Sequence, residues 1–169
     1  MSWQLSSSSD PRALEVVDGT GQWSSHGPHY SRRTPGSKTF TGVGREVVLL
    51  HPSGAVWAVV LQKTPAPRGS GSSRGRSGYE APTRWVWRNM LFRNLGPELS
   101  SGLIVSATAE TYLLWADRYS DLPEVRLRTE IDVRKVASPN PGYCYKCAGW
   151  TDGHMVRGKL YLYAPEHNP

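Results

Sequence analysis

Between Trp85 and Trp150 the hydrophobic period changes in a set order, and few folds accommodate that order. From Trp85 to Arg93 (WVWRNMLFR) bulky apolar and aromatic residues fall on both faces with no Gly or Pro inside, the pattern of a strand covered on both sides. Asn94-Leu95-Gly96-Pro97 breaks it. Ser100 then stands where a helix N-cap belongs, with Leu99 placed to staple against Ile104. Leu103, Ile104, Ala107, Thr111, Leu114 and Trp115 recur at three-and-four spacing as one apolar stripe, and Asp121 and Pro123 stop the helix. From Val125 the period becomes two. Val125, Leu127, Thr129, Ile131 and Val133 take one face, and Arg126, Arg128, Glu130, Asp132 and Arg134 the other. Asn140-Pro141-Gly142 then opens one more helical turn, ending at Gly149-Trp150.

A strand that runs through a turn into a helix points the helix's first N–H groups at solvent, where they can bind anions. Arg93 with Ser100-Ser101-Gly102 can therefore hold a phosphate or pyrophosphate. The plainer reading of the same residues is a capped helix beside an ordinary strand arginine.

Upstream, Arg45–His51 and Ala55–Leu61 flank Pro52-Ser53-Gly54, a hairpin whose two arms both read as buried on both faces. Residues 1–11 (MSWQLSSSSDP) are Ser-rich and predict a disordered tail, and residues 12–18 predict a short first strand. Residues 19–44 are a loop or short helical turns rich in Gly, Ser and Pro. Within them His29, Tyr30 and Ser31 place three polar functional groups side by side, as a substrate contact or as ordinary loop surface. Downstream, Arg157-Gly158 turns a second hairpin in which Leu160 and Leu162 alternate with Lys159, Tyr161 and Tyr163, and 164–169 form a tail. The order of elements predicts one α+β domain over 12–163, with a mixed, mostly antiparallel sheet and few helices.

Charge is concentrated. Residues 63–93 carry Lys63, Arg68, Arg74, Arg76, Arg84, Arg88 and Arg93 against Glu80 alone; seven less one is six, the whole net charge of +6. Residues 64–83 are low-complexity Gly/Ser/Arg and predict a flexible basic loop, which suits a polyanionic partner, DNA first, or else a solvated linker. Trp3, Trp23 and Tyr79 fall in predicted loops, whereas Trp57, Trp85, Trp87 and Trp115 read as core. Two cysteines give no disulfide framework and fit a reducing cytoplasm. Cys144-Tyr-Lys-Cys147 lacks a second ligand pair for zinc, so no metal is expected and packing cysteines are. With no apolar run of membrane length and no secretory signal, a membrane is not an expected partner.

The unit as a whole resembles the core of the GNAT (Gcn5-related N-acetyltransferase) superfamily, in which a strand leads to a pyrophosphate loop and helix, then a splayed strand, then a helix ending Tyr-x-x-x-Gly-aromatic. Tyr145-Lys-Cys-Ala-Gly149-Trp150 has that ending at the family's spacing. The family's loop reads Gln/Arg-x-x-Gly-x-Gly/Ala; Arg93-Asn94-Leu95-Gly96-Pro97-Glu98 departs from it at the last position. The segments HYSRR, LFRN, LSSGLI, TEIDVRKV and NPGYCYKCAGW are further similar to the Mom-like branch, whose phage members modify adenine in DNA and so shield it from restriction.

The resemblance implies a GNAT-like fold, acetyl-CoA or a related acyl donor, and DNA as the acceptor. A phage-encoded protein of this kind would work in the bacterial host's cytoplasm. The resemblance implies further that Arg93, Asn94, Gly96, Ser100, Ser101 and Gly102 hold the donor's pyrophosphate and that Tyr145 protonates the leaving thiolate. His29, Tyr30 and Ser31 would line the acceptor site, and Glu130 and Asp132 would be bases or orienting groups. Arg68, Arg74, Arg76, Arg84 and Arg88 would grip phosphates beside an extruded base. Two other functions fit the same sequence: a nucleic-acid-binding or anti-defence protein without catalysis, and a GNAT acetyltransferase acting on a protein or small-molecule amine.

Overall fold

The computed structural model describes residues 2–29, 37–41, 44–65, 83–118 and 127–166, with the side chains of 63–65, 83, 84 and 152 outside the description. Among the described residues seven strands form one sheet: β1 (Gln4–Ser6), β2 (Arg45–His51), β3 (Ala55–Pro65), β4 (Thr83–Asn94), β5 (Leu127–Asp132), β6 (Thr151–Val156) and β7 (Lys159–Tyr163). Three α-helices accompany them, α1 (Pro11–Asp18), α2 (Ser100–Arg118) and α3 (Tyr143–Cys147), with a 3-10 segment at Gly21–His26. The strand order is β1-β2-β3-β4-β5-β7-β6, and every neighbouring pair is antiparallel except β4 and β5. That parallel pair is joined through α2, the crossover such a pair requires.

Both faces of β2, β3 and β4 are buried, which explains their unbroken apolar runs. On one face Val47, Leu49, Trp57, Val59, Leu61 and Trp87 pack against Ile104, Ala107 and Trp115 of α2 and Tyr145 of α3. On the other, Val48, Leu50, Val56, Ala58 and Leu91 pack against Ala13, Val16 and Val17 of α1. The predicted stripe of α2 is the buried one, with Thr108 and Tyr112 added and Leu114 at its half-buried margin. In β5 the alternation is as expected, Leu127, Thr129 and Ile131 inward.

The N-terminal region departs from expectation twice. Residues 12–18 belong to α1 and not to a strand: Asp10 caps it by accepting from the Arg12 N–H at 2.9 Å, Pro11 fills the first turn, and Gly19 closes it at φ 63°. Ala13, Val16 and Val17, at three-and-four spacing, put one apolar face on the sheet, and this tertiary contact outweighs the β preference of two adjacent valines. Within the stretch expected as a tail, Gln4–Ser6 pairs with β2, Gln4 opposite Leu50. Trp3 anchors it: its indole N–H donates to Ser106 Oγ at 2.9 Å and its ring meets His51 edge-on at 5.1 Å. Trp23 is also structural, its ring covering Gly54 at the β2–β3 turn.

At the start of α2 the expected staple is not made. Leu99 is 76 % exposed while Ile104 is fully buried, and the first helical bond runs from the Leu103 N–H to Leu99 O, so Ser100 lies inside the helix. At the other end, Ala164 is buried and its N–H donates to Leu127 O at 2.9 Å, so the first residue of the predicted tail is part of the core. No helix among the described residues is long and apolar enough to cross a membrane. Residues 66–82, which hold Arg68, Arg74, Arg76 and Tyr79, lie outside the described residues.

Candidate functional site

The parallel strands β4 and β5 stay paired over three positions only: Trp87 with Leu127, Arg88 with Arg128 and Asn89 with Thr129. Beyond Asn89 they part. The cause lies in β4. Ala58 of β3 pairs with Leu91 and Val59 with Asn89, which leaves Met90 as an extra residue, a β-bulge that bends the strand. Met90 and Leu91 both turn toward the α1 face as a result. The opening is a cleft of about 160 Å³, lined among others by Asn89, Phe92, Thr129, Ile131, Cys144 and Tyr145.

Asn89 is the polar centre of this cleft. Its Nδ2 donates to Ala58 O at 3.0 Å and to Leu91 O at 3.1 Å, tying the bulge together from both sides. Its Oδ1 accepts from the Tyr145 hydroxyl at 2.6 Å, and the Thr129 hydroxyl donates to its backbone O at 3.2 Å. Tyr145 comes from α3, which starts sharply because Gly142 adopts φ 76° and because a Cβ there would come within 2.8 Å of Ile131 and Leu162. Its ring is boxed by Trp57, Phe92 and Trp150 at centroid distances of 6.4, 6.2 and 5.0 Å. Trp57 is held in turn by its indole N–H, which donates to Thr111 Oγ1 of α2 at 3.0 Å.

The donor-binding residues expected from sequence divide between two faces of the sheet. Arg93 points to the α1 side. Its Nη1 donates to Val17 O at 2.7 Å, and its Nη2 donates to Gly27 O and His26 O. It therefore closes the C-terminus of α1 and the 3-10 segment and does not meet the start of α2. Asn94 shapes the loop before α2: its Nδ2 donates to Glu98 O at 2.7 Å and contacts Ser100 Oγ at 3.1 Å, while its Oδ1 accepts from the Gly96 N–H. Gly96 runs hard against the β2–β3 turn, where a Cβ would lie 1.9 Å from Ser53 O. Gly102 faces open space and Ser101 is half-buried, so the first turn of α2 is accessible.

Of the residues expected at the acceptor site, His29 is described and does not line the cleft. His29 stands on the α1 side with its backbone N–H donating to Val17 O at 3.0 Å. Burial, and secondarily the Arg93 guanidinium, lower its pKa to about 4. Folded His29 is neutral where an unfolded histidine, titrating at about 6.5, has begun to take a proton. Stability should therefore fall as pH drops from about 6.5 to about 4, by up to roughly 3 kcal/mol, and be unaffected by this group above that window. In urea titrations the His29→Gln variant should show a shallower loss than the parent over that range; equal slopes would show that the group is solvated.

Tyr30 and Ser31 lie outside the described residues. Glu130 lines the cleft, but three cations engage its carboxylate: Arg128 at 3.0 Å, Lys159 at 3.5 Å and Arg88 at 3.8 Å. Its carboxylate thus draws three cations together at this edge of the cleft. Asp132 is bound by Arg134 at 3.0 Å, which holds its pKa at about 2 and leaves it a weak base. Of the expected phosphate contacts, Arg88 is half-buried in the Glu130 cluster; Arg68, Arg74, Arg76 and the side chain of Arg84 are outside the described residues. Cys144 is half-buried beside the cleft with its thiol pKa raised by burial, and Cys147 is exposed.

Sequence reading passed over Asn89 and Thr129. A faint signal existed: an asparagine amid WVWRNMLF is out of character for a buried strand and marks irregular backbone. Also unforeseen was the face of β5, β7 and β6, where Arg128 lies over the Tyr161 ring at 5.3 Å and His154 stacks on that ring at 5.1 Å. The chain matches no family model, no curated protein and no solved structure.

Proposed function

We propose that the protein is a GNAT-like, Mom-type transferase. It would move an acyl-type group from acetyl-CoA or a related donor to an exocyclic amine of a DNA base, adenine first, and so protect phage DNA from restriction. The observation that carries the reading is the parting of β4 from β5 at a bulge, with the Tyr145 hydroxyl beside the opening. A slot of about 160 Å³ suits the narrow arm of such a donor and not a whole nucleotide. Its phosphates would fall to the accessible first turn of α2 and Ser101, without Arg93. When bound, the donor supplies an activated carbonyl.

The chain's own contribution is positional. Phe92 and Ile131 wall the slot against water, and Asn89 and Tyr145 set the polar contact at its side, so that donor and acceptor meet at short range. Mass spectrometry of nucleosides from cells expressing the protein should reveal a deoxyadenosine of raised mass. Tyr145→Phe should lower its yield by roughly 10²- to 10⁴-fold while sparing the fold.

A second reading, nucleic-acid binding without transfer, is favoured by Arg88, Arg128 and Lys159 gathered around the single carboxylate of Glu130. An unmodified nucleoside profile together with retained DNA affinity would select it. Modification of a protein or small-molecule amine would select a GNAT-like enzyme with another acceptor.

A further inference from the structure

Cys144 and Cys147 have no part in the transfer proposed above, and the fold gives their sulfurs different surroundings. Both belong to α3, three positions apart, and the turn between them is closed by the Ala148 N–H, which donates to Cys144 O at 3.1 Å. Residues at this spacing share one helix face, with Cβ atoms about 5–6 Å apart. Cys144 packs half-buried at the edge of the core, and its sulfur accepts from the Tyr145 backbone N–H. Burial raises its pKa, so at rest it is a thiol. Cys147 is exposed, and the hydroxyl of Tyr143, itself on the surface, hydrogen-bonds its sulfur. Packing accounts for Cys144 and leaves Cys147 without a role.

We propose that Cys144 and Cys147 form a dithiol–disulfide exchange site whose substrates are small-molecule disulfides. Cys147, the accessible sulfur, attacks one sulfur of the incoming disulfide as the thiolate. The incoming S–S bond breaks, a mixed disulfide forms on Cys147, and the proton that Cys147 gave up goes to the departing thiolate. Cys144 then attacks the Cys147 sulfur, and its own proton leaves with the second small thiol. Two cysteine thiols are thereby oxidised to one disulfide while one small disulfide is reduced to two thiols, with no other reactant. A disulfide needs its Cβ atoms at about 3.5–4.5 Å, so α3 must tighten by about 1 Å to close the bond. A bond made that way is readily reduced, and the site runs in both directions.

The test uses the full chain, reduced, with glutathione disulfide as the probe and acid-quenched samples weighed by mass spectrometry. The parent should become two hydrogens lighter and keep no glutathione, with the link mapped to Cys144 and Cys147 of one chain. Excess reduced glutathione should restore the dithiol. Cys144→Ser, a small change at a half-buried position, should hold one glutathione on Cys147. That adduct should outlive the parent's by about tenfold or more, because a thiol on the same turn acts at high effective concentration. Iodoacetamide should alkylate Cys147 roughly tenfold faster than Cys144, following exposure.

A parent that keeps glutathione on Cys147 as long as Cys144→Ser does, a link to a second chain through Cys147, first attack at Cys144, or no reaction with glutathione disulfide would each overturn the proposal. Should Cys144→Ser fail to fold, the parent decides alone: it must release two glutathiones per chain and retain none. The outcome separates from that of the transferase reading, since a modified nucleoside neither requires this exchange nor follows from it.

Discussion

Replacing Arg93 by Met should lower the unfolding free energy by about 3 kcal/mol or more without altering the shape of the cleft. Arg93 is 9 % exposed as a residue, and its guanidinium donates to three carbonyls, those of Val17, His26 and Gly27. Met fills much of the same space and offers none of them a donor, so carbonyls that now face a charged donor lose it in a largely dry site. One of them closes the last turn of α1, where a cation is also favoured by the helix dipole. Arg93→Lys should recover only part of the loss, because an ammonium cannot fork across carbonyls from two segments. Urea denaturation with an unchanged slope is the measurement. If the midpoint moved by less than the equivalent of about 1 kcal/mol while donor affinity collapsed, the side chain would belong to the ligand and its placement on the α1 face would be secondary.

Trp57→Ala should cost about 3–5 kcal/mol, among the largest effects of any single truncation in this core. Trp57 is fully buried and its ring touches Phe92, Tyr145 and Trp150, while its indole N–H donates to Thr111 in α2. Removal opens a cavity against the ring of Tyr145 and leaves a buried hydroxyl without its donor. The Tyr145 side-chain resonances should therefore broaden or shift, and any activity should fall further than the lost stability explains. Leu99→Ser is the matched control, since a side chain 76 % exposed should stay within about 0.5 kcal/mol of the parent. A comparable loss in both would show that Trp57 has no special hold on the site.

Much of the architecture was legible because it rests on local periodicity. The two-faced runs of β2, β3 and β4, the stripe of α2 and the alternation of β5 each record one solvent-excluded surface, and such patterns survive in the sequence. Turn chemistry was legible for the same reason: Arg157 and Gly158 sit at φ 49° and 78°, as the second hairpin requires. The signal at Asp10-Pro11 was also present, a cap followed by a first-turn proline. It lost to the valines that follow, because β-branched residues report a half-buried surface without saying whether a strand or a helix provides it.

The hydrophobic periodicity of residues 45–163 thus determined by itself that a mixed α+β sheet forms and which helix crosses it. The tertiary structure alone decided the site. Whether Arg93 met a ligand or a carbonyl depended on which face of β4 lay outward beyond the bulge at Met90, and one inserted residue changes the facing of every side chain after it. Likewise Asn89 and Tyr145, fifty-six positions apart, became one polar unit only because the bulge and the glycine turn before α3 brought them to 2.6 Å. Burial leaves a periodic trace along a chain, whereas a contact between distant polar groups leaves none.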